Sequence, residues 1–206
     1  MGEIRVMERI AHIRGVLVDA VWPAQTLGRL RDFVLLLGGS LLIALSAQIE
    51  VPLTPVPITG QTFAVLLLAA LYGSKRGAAT CALYLLLGLT GLPVFAGGGA
   101  GLARFAGPTA GYLISYVPVA FVVGWLSERG WDRRVWSTAL AMIIGNALIY
   151  LMGVIWLQRF VPAGTALEAG VYPFLVGDMI KIALATILLP TAWRFVGRGT
   201  NSGTAA

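Results

Sequence analysis

Apolar and polar positions along this 206-residue chain follow the order expected of a polypeptide that crosses a bilayer. Long stretches are apolar on every side, with neither the two-residue alternation of a half-buried strand nor the single stripe of a surface helix. They end at charges, prolines or glycines. A crossing helix needs about 20 such residues, with a range of roughly 17–25. Six runs are candidates: Phe33 to Ile49, Gln61 to Gly73, Gly77 to Leu92, Gly111 to Ser127, Trp136 to Gln158, and Pro173 to Val196. The second is short. Either the connection before it enters the protein at membrane depth, or neighbouring helices hold it there. The pattern predicts an all-α integral membrane protein with a six-helix membrane domain over residues 33–196. A basic segment, 1–32, precedes it and a tail, 197–206, follows.

Charge fixes the expected orientation. An even number of crossings puts both ends on one side, and twelve of the 15 Lys and Arg residues fall on that side. They are Arg5, Arg9, Arg14, Arg29 and Arg31 before the first run, Lys75 and Arg76, then Arg129, Arg133 and Arg134, and finally Arg194 and Arg198. The other side has Arg104 and Arg159, and Lys181 lies inside the last run. By the positive-inside rule both termini face the cytoplasm, in the cytoplasmic membrane. The rival reading of Phe33 to Ala47 as a cleaved signal leaves too long a segment ahead of it and breaks this balance. Within residues 4–18, Val6, Ile10, Ile13 and Leu17 recur at helical spacing. That segment either lies on the cytoplasmic leaflet or is a frayed amphipathic tail.

Composition narrows the chemistry. The chain is 58% hydrophobic and 12% charged, against about 45–50% and 25% in soluble domains. One cysteine, Cys81, and one histidine, His12, furnish no zinc site, disulfide framework or histidine-based hydrolase centre. No catalytic constellation, resident metal or cofactor is expected. The phosphate-cradling string G-x-x-x-x-G-K-[ST] is absent, so any ATP that drives this chain is hydrolysed by another protein. Basic flanks of lipid-embedded runs account for the net charge of +6, and no nucleic-acid partner is expected.

The outer side gathers the candidate binding chemistry. Its first connection, residues 51–60, has prolines at 52, 55 and 57 and is stiff and mostly apolar. Its second, residues 93–110, is glycine-rich yet carries Val94, Phe95 and Leu102, which suits a loop whose backbone approaches a ligand. Asp178 and Lys181, i and i+3 in the last run, share one helix face. An ionisable group inside a span costs about 2.5–3.5 kcal/mol. The pair is therefore either a self-neutralised helix contact or an inward donor and acceptor set. Asn146 joins them or hydrogen-bonds between helices. Arg104, the loop's sole cation, suits a carboxylate. Tyr84, Tyr112, Tyr150 and Tyr172 either line an apolar pocket or anchor at the interface. These residues describe a site for a small, amphipathic, anionic organic solute arriving from outside.

Five blocks in order extend the reading: Gln48-Ile49-Glu50-Val51-Pro52-Leu53, Val56-Pro57-Ile58-Thr59-Gly60-Gln61-Thr62, Gly91-Leu92-Pro93-Val94-Phe95-Ala96-Gly97-Gly98, Gly107-Pro108-Thr109-Ala110-Gly111-Tyr112 and Gly177-Asp178-Met179-Ile180-Lys181. Together, from about residue 35 to 195, the chain resembles the BioY family, biotin-specific substrate-capture (S) subunits of energy-coupling factor (ECF) transporters. The resemblance implies an S-component-like bundle and high-affinity biotin binding for uptake, with no enzyme activity in this chain. It also implies lipid surroundings, a transmembrane coupling protein and two separate ATPase subunits as partners. The alternative is a solitary secondary carrier of biotin or a related vitamin. By similarity, Asp178 accepts from the ureido N–H groups of biotin and Lys181 donates. Arg104 takes the carboxylate, with the exchange of roles between Lys181 and Arg104 left open. Gln61, Gly98, Gly99 and Tyr112 shape the pocket, with Asn146 nearby, while Pro55, Pro57 and Thr59 belong to a gating loop. The coupling protein is expected to meet small residues on the first helix. Here Ser40-x-x-x-Ala44 supplies that spacing in place of an alanine repeat.

Overall fold

A computed structural model describes residues 15–23 and 28–202. Its helices in chain order are α1 (Leu17–Val21), α2 (Gly28–Ala47), α3 (Gln61–Tyr72), α4 (Ser74–Leu89), α5 (Ala103–Ala106), α6 (Ala110–Glu128), α7 (Val135–Leu157), α8 (Ala166–Gly170) and α9 (Leu175–Ser202). A two-stranded ladder, β1 (Glu50–Val51) with β2 (Ile58–Thr59), runs antiparallel and pairs Glu50 with Thr59 and Val51 with Ile58. It brackets the proline loop. Helices α2, α6 and α7 and the segment Ala166–Gly197 are long and apolar enough to cross a membrane.

Helix α3 shows how a short apolar run is accommodated. It is apolar on all sides, and Gln61, Ala64, Val65, Leu66, Leu68, Ala69 and Ala70 are buried. A helix hydrophobic all round belongs inside a bundle. It packs on α4 and α6, and α6 in turn packs on α7. Outward apolar side chains such as Phe33, Leu45, Leu151, Val176 and Ile187 are exposed, as a lipid-facing surface requires.

The helix starts differ from the hydropathy reading because charges are enclosed by partners. Helix α2 begins at Gly28, ahead of Phe33, and carries Arg31 inward at 2% exposure, where it pairs with Asp19 of α1. Arg76 donates to both oxygens of Asp19, at 2.9 and 3.0 Å, and pairs with Asp32 at 3.0 Å. The boundary drawn at residue 32 therefore falls inside a packed helix. Likewise α9 runs past residue 197 to Ser202. Residues 4–14 of the amphipathic segment lie outside the described residues. Its described end does not rest on lipid, for Leu17 is buried against Trp193 of α9.

Trp193 also joins α9 to the turn between α6 and α7. Its indole Nε1–H donates to Asp132 Oδ2 at 2.6 Å, and Arg133 stacks on its ring at 4.5 Å. Asp132 Oδ1 has no hydrogen-bond partner. Burial pushes the Asp132 carboxyl up to about 6, against the lowering by Trp193 and Arg133. The folded chain thus holds this proton more tightly than the unfolded one, whose carboxyl keeps its ordinary value of 3.8. Ionised Asp132 weakens the fold above that upper value, and the penalty fades as pH falls toward the lower one. The detergent-solubilised chain is expected to gain about 1–3 kcal/mol from this group as pH falls through that window. Asp132→Asn should flatten the dependence and raise the unfolding midpoint at neutral pH. Thermal unfolding of both proteins across the window checks this.

Candidate functional site

The proline loop, the glycine loop and the bundle meet around a pocket enclosing about 610 Å³ of empty space, its mouth included. At its base sits the polar pair of α9. Asp178 is buried, and Lys181 Nζ lies 2.8 Å from its Oδ1. Lys181 also donates to the carbonyl of Thr59 at 2.9 Å and to Thr62 Oγ1 at 2.8 Å. An ammonium has three donors, so all three are engaged. The Tyr150 hydroxyl of α7 donates to the other oxygen of Asp178. A carboxylate offers about four acceptor positions, so two remain for a ligand.

Beside this base stands a second polar node. Gln61 Nε2 donates to the Tyr84 hydroxyl at 2.6 Å, and Gln61 Oε1 accepts from the Tyr116 hydroxyl at 3.0 Å. The Tyr84 hydroxyl donates onward to the carbonyl of Val94 at 3.2 Å. Apolar walls complete the pocket: Val56, Phe95, Leu113, Ile149 and Phe174. Phe95 is held edge-on between Tyr84 and Phe105, with centroids 5.5 and 5.7 Å away. It occupies the space over Gly88, where a Cβ would stand 2.0 Å from the ring.

The mouth carries the cation. Arg104 of α5 donates through Nη2 to the carbonyl of Ala96 at 2.9 Å and lies flat on Gly99, where a Cβ would meet its Nε at 2.1 Å. Any larger residue there would displace the guanidinium. Gln48, at the end of α2, ties down this loop by donating to the carbonyl of Phe95 and accepting from the N–H of Gly98, both at 3.2 Å.

The residues singled out from the sequence separate into groups. Asp178, Lys181, Arg104, Gln61, Tyr112, Pro57 and Thr59 line the pocket together, and Pro55 lines the adjoining outer cavity. Tyr112 is anchored by donating to the carbonyl of Gly170 at 2.8 Å. Gly98 and Gly99 sit above the pocket and shape the loop instead of lining it. Asn146 is not brought in: its amide donates to Met142 of its own helix at 3.2 Å. Ser40 is fully buried and donates to the carbonyl of Thr80 on α4 at 3.0 Å, and Ala44 packs against the core. Ser40 is therefore used in packing inside the bundle, while Ala44 is partly buried. Tyr172 is exposed and away from the pocket. Sequence reasoning gave no role to Thr62, although it ends the second motif block, and missed Tyr116, which lies outside all five blocks.

A family model for the BioY family matches residues 19–198, most of the chain. The chain belongs to the BioY family. It is 41% identical over 147 residues to the probable biotin transporter BioY of Pyrococcus horikoshii, covering 71% of this chain and 86% of that protein. Against the biotin transporter BioY of Thermotoga maritima it is 40% identical over 148 residues, again covering 71% and 86%. Among solved structures, it resembles the crystal structure of the S-component for biotin from an ECF-type ABC transporter. The TM-score is 0.68 at 25% identity, covering 86% of this chain and 94% of that one.

The Gln61 node in this BioY chain should carry measurable stability. Gln61→Leu keeps the volume but strips the buried Tyr116 hydroxyl of its acceptor, at about 1–3 kcal/mol for an unsatisfied group, while Tyr84 keeps its bond to the carbonyl of Val94. Thermal unfolding in detergent should show a lower midpoint, and adding Tyr116→Phe to that variant should recover part of the loss.

Proposed function

We propose that this chain captures biotin from outside the cell as the S component of an ECF-type transporter. A single observation carries the reading: the pocket of a BioY chain closes on Asp178, a buried carboxylate with two acceptor positions still open, beneath apolar walls. Biotin has a cyclic urea with two N–H donors and one acceptor, an apolar bicycle and a carboxylate-tipped tail. Asp178 accepts from the urea. Gln61 and its tyrosines stand beside the head group, and Phe95, Ile149 and Phe174 enclose the sulfur-containing ring. The carboxylate goes to Arg104, because Lys181 has spent its three donors on Thr59, Thr62 and Asp178. Arg104 has spent one of five on Ala96. Lys181 then acts by holding Asp178 and the Thr59 wall in place.

The proposal extends to topology and partners, supported by the charge pattern along the chain and by the family resemblance. Six crossings place both termini in the cytoplasm. A transmembrane coupling protein and two ATPase subunits power release, and the chain itself catalyses no reaction. The organisation into a basic leading segment, a membrane domain and a short tail is retained as part of this proposal, with the membrane domain opening at Gly28.

Equilibrium titration of the purified chain in detergent should show biotin binding. Asp178→Asn and Lys181→Ala should each weaken it tenfold or more, as loss of a hydrogen bond to a buried charged group is worth about 1.5–3 kcal/mol. Retained affinity in both variants would remove the pair from the site. For topology, Ala103→Cys and Arg129→Cys are placed separately in a Cys81→Ser background. An impermeant maleimide should label the first in intact cells and the second only after permeabilisation. The reverse pattern would overturn the orientation.

A further inference from the structure

The pocket opens into an outer cavity of about 740 Å³ of empty space, with Pro57, Ala96, Arg104 and Thr109 common to both. Its remaining wall includes Glu50, at the start of β1 opposite Thr59. A Cβ on Gly97 would stand 3.3 Å from Glu50 Oε1 and 3.9 Å from Arg104 Nη2, so both charges overhang the same glycine. No ion pair joins them within 4.0 Å, and among the described residues the Glu50 carboxylate accepts no hydrogen bond. A site built only for a free acid gains nothing from an anion at its mouth, because that anion repels the ligand's own carboxylate. A cation on the ligand reverses the sign.

We propose that the outer cavity is a second subsite, in which Glu50 binds an ammonium on the tail of a longer solute. The ligand class is an amide of biotin with a diamine or an amino acid, such as a lysine acylated on its side chain. The bicycle occupies the deep pocket, the amide passes the mouth at Arg104, and the tail lies between the two loops. This inference rests on the biotin reading of the deep pocket and adds a ligand class to it.

The test is equilibrium binding to the full chain in detergent, using biotin, biotin amide-linked to the side chain of lysine, and that conjugate with its α-amine acetylated. The free-amine conjugate should bind at least fivefold tighter than the acetylated one. Glu50→Gln should erase that difference while leaving biotin equally or more tightly bound. Glu50 pairs with Thr59 through backbone atoms, and glutamine preserves them. Equal binding of the two conjugates, or a preference that survives Glu50→Gln, would overturn the subsite while leaving biotin capture intact. Failure of biotin itself to bind would overturn the reading beneath it and this inference together.

Discussion

A protonated amine inside an apolar helical bundle persists only where acceptors surround it, and Lys181 finds three on three elements. Its partners are Asp178 on its own helix α9, Thr62 in the first turn of α3, and the Thr59 carbonyl on β2. One charge therefore fastens a long helix to the start of a short buried helix and to the ladder beside it. The ladder fixes both ends of the proline loop, and Val56 and Pro57 of that loop form part of the pocket wall. Satisfied polar networks inside low-dielectric surroundings specify one arrangement strongly, because each broken bond leaves a costly orphan. The pocket wall is thus a consequence of how the partly buried amine is neutralised.

The glycine loop is positioned by a different device. Gly88 and Gly99 are places where neighbouring groups occupy the volume a Cβ would need: the Phe95 ring at one, the Arg104 guanidinium at the other. Phe95 is thereby driven into the bundle between Tyr84 and Phe105, and Arg104 is pressed flat at the mouth. Of these two glycines Gly88 belongs to α4 and Gly99 to the loop, whose Gly97, Gly98 and Gly101 instead supply left-handed backbone at φ +63°, +66° and +76°, and Gln48 closes the loop from the end of α2. Both loops that cover the pocket are consequently anchored to the bundle by side chains.

Hydrophobic patterning made the longer helices legible, since runs bounded by charge and proline match α2, α3, α4, α6, α7 and α9 within a few residues at most ends. It missed where helices began with charges, because Arg31 and Arg76 are neutralised by Asp19, far away in sequence. The short helices α5 and α8 lie in outer connections whose composition reads as loop. At the site, Asp178 and Lys181 were visible because charges inside an apolar run have no cheap alternative. Tyr150 appeared only as one tyrosine among several. Asn146 misled for the converse reason: an amide in mid-helix is satisfied by the carbonyl one turn back, Met142, and needs no ligand. Ser40 misled because small residues suit an external docking face and an internal close contact equally. Its hydrogen bond to Thr80 decides for the second.

The two ends of the bundle handle polar groups in different ways. At the end carrying most of the basic residues, Asp19 is shared between Arg31 and Arg76, Asp32 also pairs with Arg76, and Asp132 is sealed beneath Trp193. Arg31 does keep Nε and Nη1 without partners, but at 2% exposure they are closed to any solute. At the other end, unused bonding capacity faces open space. Asp178 retains acceptor positions toward the pocket, Arg104 retains donors at the mouth, and Glu50 stands unpaired in the outer cavity. Buried polar groups normally find their partners within the fold. Where several remain incompletely bonded around one accessible cavity, a solute that fits it has to bring donors, acceptors and charges complementary to those left open.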